Sequence, residues 1–216
     1  MVTISLQVSG LAKAFNRRKV FSNISIVMRG SDSLTVTGRN GSGKSTLLKI
    51  LAGLLSPSRG SIDFSVDENP VSAGLRYRYI GFVAPYLQLY DEFSALENLE
   101  FFRKVRGLDV TRSSVIELLE RLNLADRGGE PLRTFSSGMK QRLKYVFALL
   151  HRPPVLLLDE PSSNLDAEGI DAVQRIVADQ KRKGIVVIAT NNAGELDRSD
   201  QLLDLDRIAG RSSMPV

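Results

Sequence analysis

Gly38-Arg39-Asn40-Gly41-Ser42-Gly43-Lys44-Ser45-Thr46 fits the pattern G-x-x-x-x-G-K-[ST], in which backbone N–H groups wrap the phosphates of a nucleotide. Its flanks agree with that reading. The alternating, β-branched run Leu34-Thr35-Val36-Thr37 leads in, and the amphipathic run Leu47-Leu48-Lys49-Ile50-Leu51-Ala52 leads out. Strand, glycine loop and helix N-terminus together make an anion site, because the first N–H groups of a helix have no intrahelical acceptor. A plain glycine-rich turn is the rival reading, and the flanks favour the nucleotide. The segment therefore predicts an α/β fold that binds a nucleoside triphosphate.

Composition sets the limits around this segment. A chain of 216 residues can bury a substantial core as one large domain, or as a domain with a sub-domain. With 43% hydrophobic and 25% charged residues, its usage is that of an ordinary globular protein. No stretch approaches the roughly 18 consecutive apolar residues that a spanning helix needs. The start, Met1-Val2-Thr3-Ile4-Ser5-Leu6-Gln7-Val8, alternates like a strand and lacks the blocks of a signal peptide, so the cytoplasm is the expected compartment. The absence of cysteine excludes disulfides, thiol catalysis and cysteine-ligated metal sites. A net charge of +5 could suit nucleic acid or an anionic membrane surface. The basic residues are scattered, however, apart from Arg17-Arg18-Lys19 and Lys181-Arg182-Lys183, and solvated faces explain both clusters better.

Periodicity organises the rest. Residues 2–8, 20–28 and 33–37 read as strands, followed by a helix to about Gly53, a strand at 61–64 and another at 79–83. From about 91 to 150 the spacing turns helical, in Leu96–Val105, Val115–Leu122 and Met139–Leu150. Strand and helix then alternate again: Val155–Leu158 as a buried strand, a helix over 167–182, a buried strand at Ile185–Ala189 and a last strand at Gln201–Leu205. A parallel α/β core with a helical insertion in its middle is expected. Asp159-Glu160 falls at the carboxyl end of a core strand, the edge where open α/β sheets hold ligands. One carboxylate there can hold a nucleotide's Mg²⁺, and its neighbour can accept a proton from water.

At this point the chain resembles a known family. Phe135-Ser136-Ser137-Gly138-Met139-Lys140-Gln141-Arg142 resembles the signature motif of ABC-type ATPases, usually written L-S-G-G-Q. Val155–Pro161 resembles their Walker B segment and Ser163-Asn164-Leu165-Asp166 their D-loop, in the family's order and spacing over nearly the whole chain. The short length, the signature variant and the abrupt C-terminus resemble most the ATP-binding subunits of bacterial exporters, of the cytochrome c maturation haem type or the ABC-2 type. The resemblance implies a P-loop NTPase fold of ABC type: one ATPase domain over residues 1–216, with a mainly parallel core, an antiparallel β subdomain and a helical subdomain at about 91–150.

It also implies roles. Gly38 to Thr46 would wrap the phosphates of ATP, Lys44 would neutralise the β- and γ-phosphates, and Ser45 would ligate Mg²⁺. Asp159 would hold that ion's water shell, and Glu160 would be the general base. Ser136, Ser137 and Gly138 would open a helix aimed at the nucleotide of a second subunit, and Asp166 would join the nucleotide-binding set. Phe15 would stack on adenine, with a core phenylalanine as the alternative. Three departures qualify the match. In the signature, Ser137 and Met139 replace a glycine and the glutamine. Pro85 stands where the Q-loop glutamine would be, leaving Gln88 either as a substitute contact to Mg²⁺ and water or as a plain loop residue. Asn191 stands where the switch histidine would be. It can donate to a γ-phosphate but cannot become cationic, so hydrolysis is expected to survive and to be slower. His151 is expected at a solvated helix end.

The partners implied are a second copy or a paralogous ATPase subunit, paired head to tail around two ATPs, and a separate polytopic membrane permease, with the chain peripheral at the inner face of the cell membrane. No nucleic-acid partner is implied. Tyr86–Leu99 is rich enough in aromatic and aliphatic residues to be a docking surface, or it packs as the insertion's own core. Two other functional classes stand beside the exporter ATPase: a soluble ABC ATPase such as the iron–sulfur assembly type, and an ATP-gated module that scarcely hydrolyses.

Overall fold

Leucine, valine and isoleucine without interruption are what a strand buried on both faces requires. Such runs form the centre of the computed structural model, which describes residues 2–16, 18–192 and 199–211. Arg17 of the first basic cluster lies outside the described residues. The elements are β1 (Ile4–Phe15), β2 (Arg18–Arg29), β3 (Ser33–Thr37), α1 (Lys44–Leu51), β4 (Arg59–Val66), β5 (Asn69–Pro70), β6 (Ile80–Val83), α2 (Ala95–Val105), α3 (Arg112–Arg121), α4 (Ser137–Leu149), β7 (Val155–Asp159), α5 (Ala167–Lys181), β8 (Ile185–Ala189), β9 (Gln201–Asp204) and α6 (Leu205–Arg211). Five strands pair in parallel in the order β6-β7-β8-β3-β9, and β2-β1-β4-β5 form an antiparallel sheet.

Alternation along β7 divides the interior. Val155 and Leu157 face a cluster made with β1, β2, β4 and α1, while Leu156 and Leu158 face a second cluster made with α2, α3, α4 and α5. The parallel sheet thus lies between the antiparallel sheet and the helices. Side chains cap the helix starts: Ser94 and Glu97 form a reciprocal box at α2, Thr111 caps α3, Ser136 caps α4 and Asp166 caps α5.

Of the boundaries that differ from the sequence pattern, two have identifiable reasons. β1 continues well past residue 8, because the pairing with β2 shifts register between Val8 and Leu11, where Gly10 takes φ +56°. The last strand stops at Asp204 because that carboxylate accepts the N–H groups of Asp206 at 3.0 Å and Arg207 at 3.3 Å, which starts α6. Among the described residues no helix is long and apolar enough to cross a membrane.

Candidate functional site

The carboxyl ends of β3, β7 and β8 lie side by side, so the loops that leave them converge. Strand pairing sets Asp159 opposite Ala189, and Ala189 opposite Val36. The loop from Gly38 to Gly43 follows β3, and Gly43, at φ +105°, is the residue before α1. Only glycine fits there, since a Cβ would come within 2.5 Å of Val20 Cγ1. Gly38 is buried, whereas Arg39, Asn40 and Gly41 are exposed, and Ser42, Ser45 and Thr46 are half-buried. The Arg39 N–H donates to the Asp206 carboxylate at 2.8 Å, which ties the loop to α6.

Lys44 is the hub of this edge. Only 7% exposed, its Nζ donates to the Gly38 carbonyl at 2.8 Å and to Asn191 Oδ1 at 3.0 Å, and lies 3.6 Å from Glu160 Oε1. Asn191 in turn donates from Nδ2 to Asn40 Oδ1 at 2.8 Å, so its amide spans the phosphate loop and the lysine. Glu160 has φ +50°, and its N–H donates to the Ala189 carbonyl at 2.8 Å. A left-handed glutamate costs about 1 kcal/mol or more, and such strain collects at functional sites.

Beside it, Asp159 is 1% exposed. Burial pushes its carboxyl above the usual carboxylate range; a hydrogen bond from Ser45 and the charges of Lys44 and Lys49 oppose that rise. Asp159 Oδ1 and Ser42 Oγ are buried without hydrogen-bond partners. A buried, unpaired carboxylate oxygen is costly unless a cation or donor completes it. Ser45 and Asp159 are hard oxygen donors of the kind Mg²⁺ takes, with nucleotide oxygens and water completing its shell. The residues present fit that ion bound together with a nucleotide.

The structure brings Lys44, Glu160, Asn191, Asn40, Ser45 and Asp159 together with the rest of the Gly38–Thr46 loop, while the remaining predicted residues make other contacts. Ser136 and Ser137 are exposed at the start of α4, with Ser136 Oγ accepting the Met139 N–H at 3.2 Å. Gly138 packs against the following loop, where a Cβ would lie 2.9 Å from the Asn164 carbonyl oxygen. Asp166 accepts the Gly169 N–H at 2.8 Å as the cap of α5. Phe15 is 47% exposed with Lys13 Nζ 4.7 Å from its ring centre, so it is no core residue. Gln88 is exposed and lines an apolar groove rather than the cluster at Asp159.

The residue that sequence reasoning missed in this loop is Tyr86. Its ring lies under Lys49 Nζ at 4.2 Å and edge-on to Phe82 at 6.3 Å. Burial, reinforced by the Asp159 charge, pushes its phenol up to about 12. The signal was the register: Val83 pairs with Leu158, which brings the chain after β6 alongside Asp159. His151 also differs from expectation. It is half-buried, with both ring nitrogens shielded from solvent.

Comparison with known proteins identifies the family. The family described as ABC transporter matches residues 21–163. The lantibiotic transport ATP-binding protein SrtF of Streptococcus pyogenes is 32% identical over 187 residues, covering 87% of this chain and 80% of its own. The daunorubicin resistance ATP-binding protein DrrA3 of Streptomyces coeruleorubidus is 32% identical over 206 residues, covering 94% of this chain and 65% of its own. A solved structure titled as the ATP binding subunit of an ABC transporter superposes with a TM-score of 0.78 at 27% identity, covering 92% of this chain and 85% of that one. The chain therefore belongs to the ABC transporter family, as an ATP-binding ATPase domain coupled to transport.

Proposed function

We propose that this chain is the ATP-binding subunit of an exporter, hydrolysing ATP with Mg²⁺ in a head-to-tail pair and driving a separate polytopic membrane permease from the cytoplasmic face of the membrane. The observation that carries the hydrolytic part is the convergence of Lys44, Glu160 and Asn191 within hydrogen-bond and ion-pair distances. Lys44 supplies the buried positive charge for the β- and γ-phosphates, and the N–H groups from Gly41 to Ser45 supply the anion site. Glu160 takes a proton from the attacking water, so that water oxygen bonds to the γ-phosphorus as the bond to the leaving ADP oxygen breaks. Asn191 Nδ2 supplies one neutral hydrogen bond to the terminal phosphate. Mg²⁺, held by Ser45 and the Asp159 side, would supply charge neutralisation across the phosphates.

Exposure of Ser136 and Ser137 at the start of α4 suits a contact made across a pair, with the second copy or a paralogue giving its own signature segment in return. For the permease, a groove of about 260 Å³ lies beneath α2, lined by Leu54, Leu87, Tyr90, Phe101 and Phe147 among others. Tyr90 is 56% and Phe101 46% exposed, whereas Ala95 and Leu99 are in the core. The Tyr86–Leu99 stretch therefore serves packing and leaves an apolar surface uncovered, as docking requires. The helices between β6 and β7 form the inserted helical part of a single ATPase domain in this reading. The exporter class follows the lantibiotic and daunorubicin relatives. Purification from membranes tests it: a polytopic membrane protein is expected to co-purify and to raise phosphate release. An active ATPase that never associates with one favours the soluble class. Asn191 favours a second reading, an ATP-gated module with weak hydrolysis, which undetectable phosphate release would select.

A further inference from the structure

Two adjacent residues of α4 reach into the two loops that border the carboxylate pair. Lys144 Nζ donates to the Pro85 carbonyl at 2.7 Å, just beyond β6. Tyr145 Oη donates to the Pro161 carbonyl at 3.0 Å, just beyond β7. Tyr145 is 0% exposed and is the largest of the fully buried side chains among the described residues. A leucine would fill an apolar space there without a hydroxyl, and a buried hydroxyl is tolerated only when it is bonded. The bond it makes falls on the residue that follows Glu160.

That turn needs holding. Glu160 has φ +50°, and its conformation is over-determined by its own N–H on the Ala189 carbonyl at 2.8 Å and by the Ser163 N–H on its carbonyl at 3.2 Å. The Tyr145 bond fixes the next carbonyl and ties the turn to a helix that starts at Ser136. At a rise of about 1.5 Å per residue, Tyr145 and Ser136 are about 13 Å apart along one rigid element.

We infer that Tyr145 is a positioning residue for hydrolysis, which through its hydrogen bond to Pro161 holds the Glu160 carboxylate in its working set and links it to the helix that carries Ser136. The inference rests on the reading of Glu160 as the general base. Misplacing a reacting group by about 1 Å can cost up to 10²-fold, whereas nucleotide contacts lie on other residues.

The test is Tyr145→Phe, which removes one oxygen atom, assayed beside Glu160→Gln and the parent. Expected are a fall in kcat of about tenfold, a KM for ATP within about twofold, and faster hydrogen exchange at residues 160–164, with a melting temperature still well above that of the assay. A kcat equal to the parent's, with Glu160→Gln inactive, overturns the inference and leaves the base assignment standing. A Tyr145→Phe protein that melts below the assay temperature also overturns it, because the hydroxyl is then merely structural. Full turnover by Glu160→Gln overturns the base assignment and with it the inference.

Discussion

Lys44 and Asn191 are joined by a hydrogen bond of 3.0 Å from Nζ to Oδ1, across 147 residues of sequence. The same amide donates to Asn40, so one neutral side chain spans Lys44 and the loop around it. A histidine there would add charge and a proton relay, neither of which an amide supplies.

Asn191→Ala removes both bonds and the donor offered to a terminal phosphate. A hydrogen bond to a charged group contributes about 1.5–3 kcal/mol, so kcat/KM for ATP is expected to fall about tenfold or more. Asn191→His is expected to raise turnover above the parent's. Steady-state phosphate release on the purified proteins measures both, and a rate unaffected by Asn191→Ala would remove this residue from the mechanism.

Glu160→Gln keeps size and backbone but cannot take a proton from water, and it dissolves the 3.6 Å ion pair with Lys44. General-base catalysis contributes about 10²–10⁴-fold, and turnover is expected to fall by that order. Nucleotide binding survives, so ATP and Mg²⁺ should accumulate a dimer visible by light scattering. A persistent monomer under saturating ATP would count against the shared site.

Much of this was legible because the informative residues are local. Gly38 to Thr46 is a continuous loop, and Val155–Asp159 is a continuous apolar run, so neighbours in sequence carried both readings. Gln88 and Tyr86 show the other case. Which of them faces Asp159 depends on the parallel register of β6 on β7, a long-range pairing that no local pattern encodes. Tyr145 was hidden for the same reason, being one apolar-face residue among many on α4 until its hydroxyl is seen on Pro161.

Gly81 in β6 predicts a stability effect with an internal control. A Cβ there would lie 2.4 Å from the Ala148 carbonyl oxygen on α4 and 2.8 Å from Pro153 Cγ, and backbone cannot yield as a flexible side chain does. Gly81→Ala is expected to cost about 1–3 kcal/mol or more. At Gly129, where nothing lies within 4 Å of an added Cβ, the same change should stay within about 0.5 kcal/mol. Urea unfolding midpoints compare the two directly.

His151 predicts a pH dependence of a definite sign. Burial pushes its imidazole from 6.5 down to about 4, the nearby Arg106 charge adds to the drop, and backbone bonding at Ile80 opposes it. The folded protein thus keeps this ring neutral where the unfolded chain takes up a proton. Stability from this group is complete above about 6.5 and is lost as the pH falls towards about 4. At about 1.4 kcal/mol per pH unit, the loss is at most about 3 to 4 kcal/mol. His151→Asn carries no titrating ring, so its unfolding free energy should fall less than the parent's between these limits. Urea unfolding of both proteins at several pH values measures the difference, and parallel curves would show that the ring is already solvated.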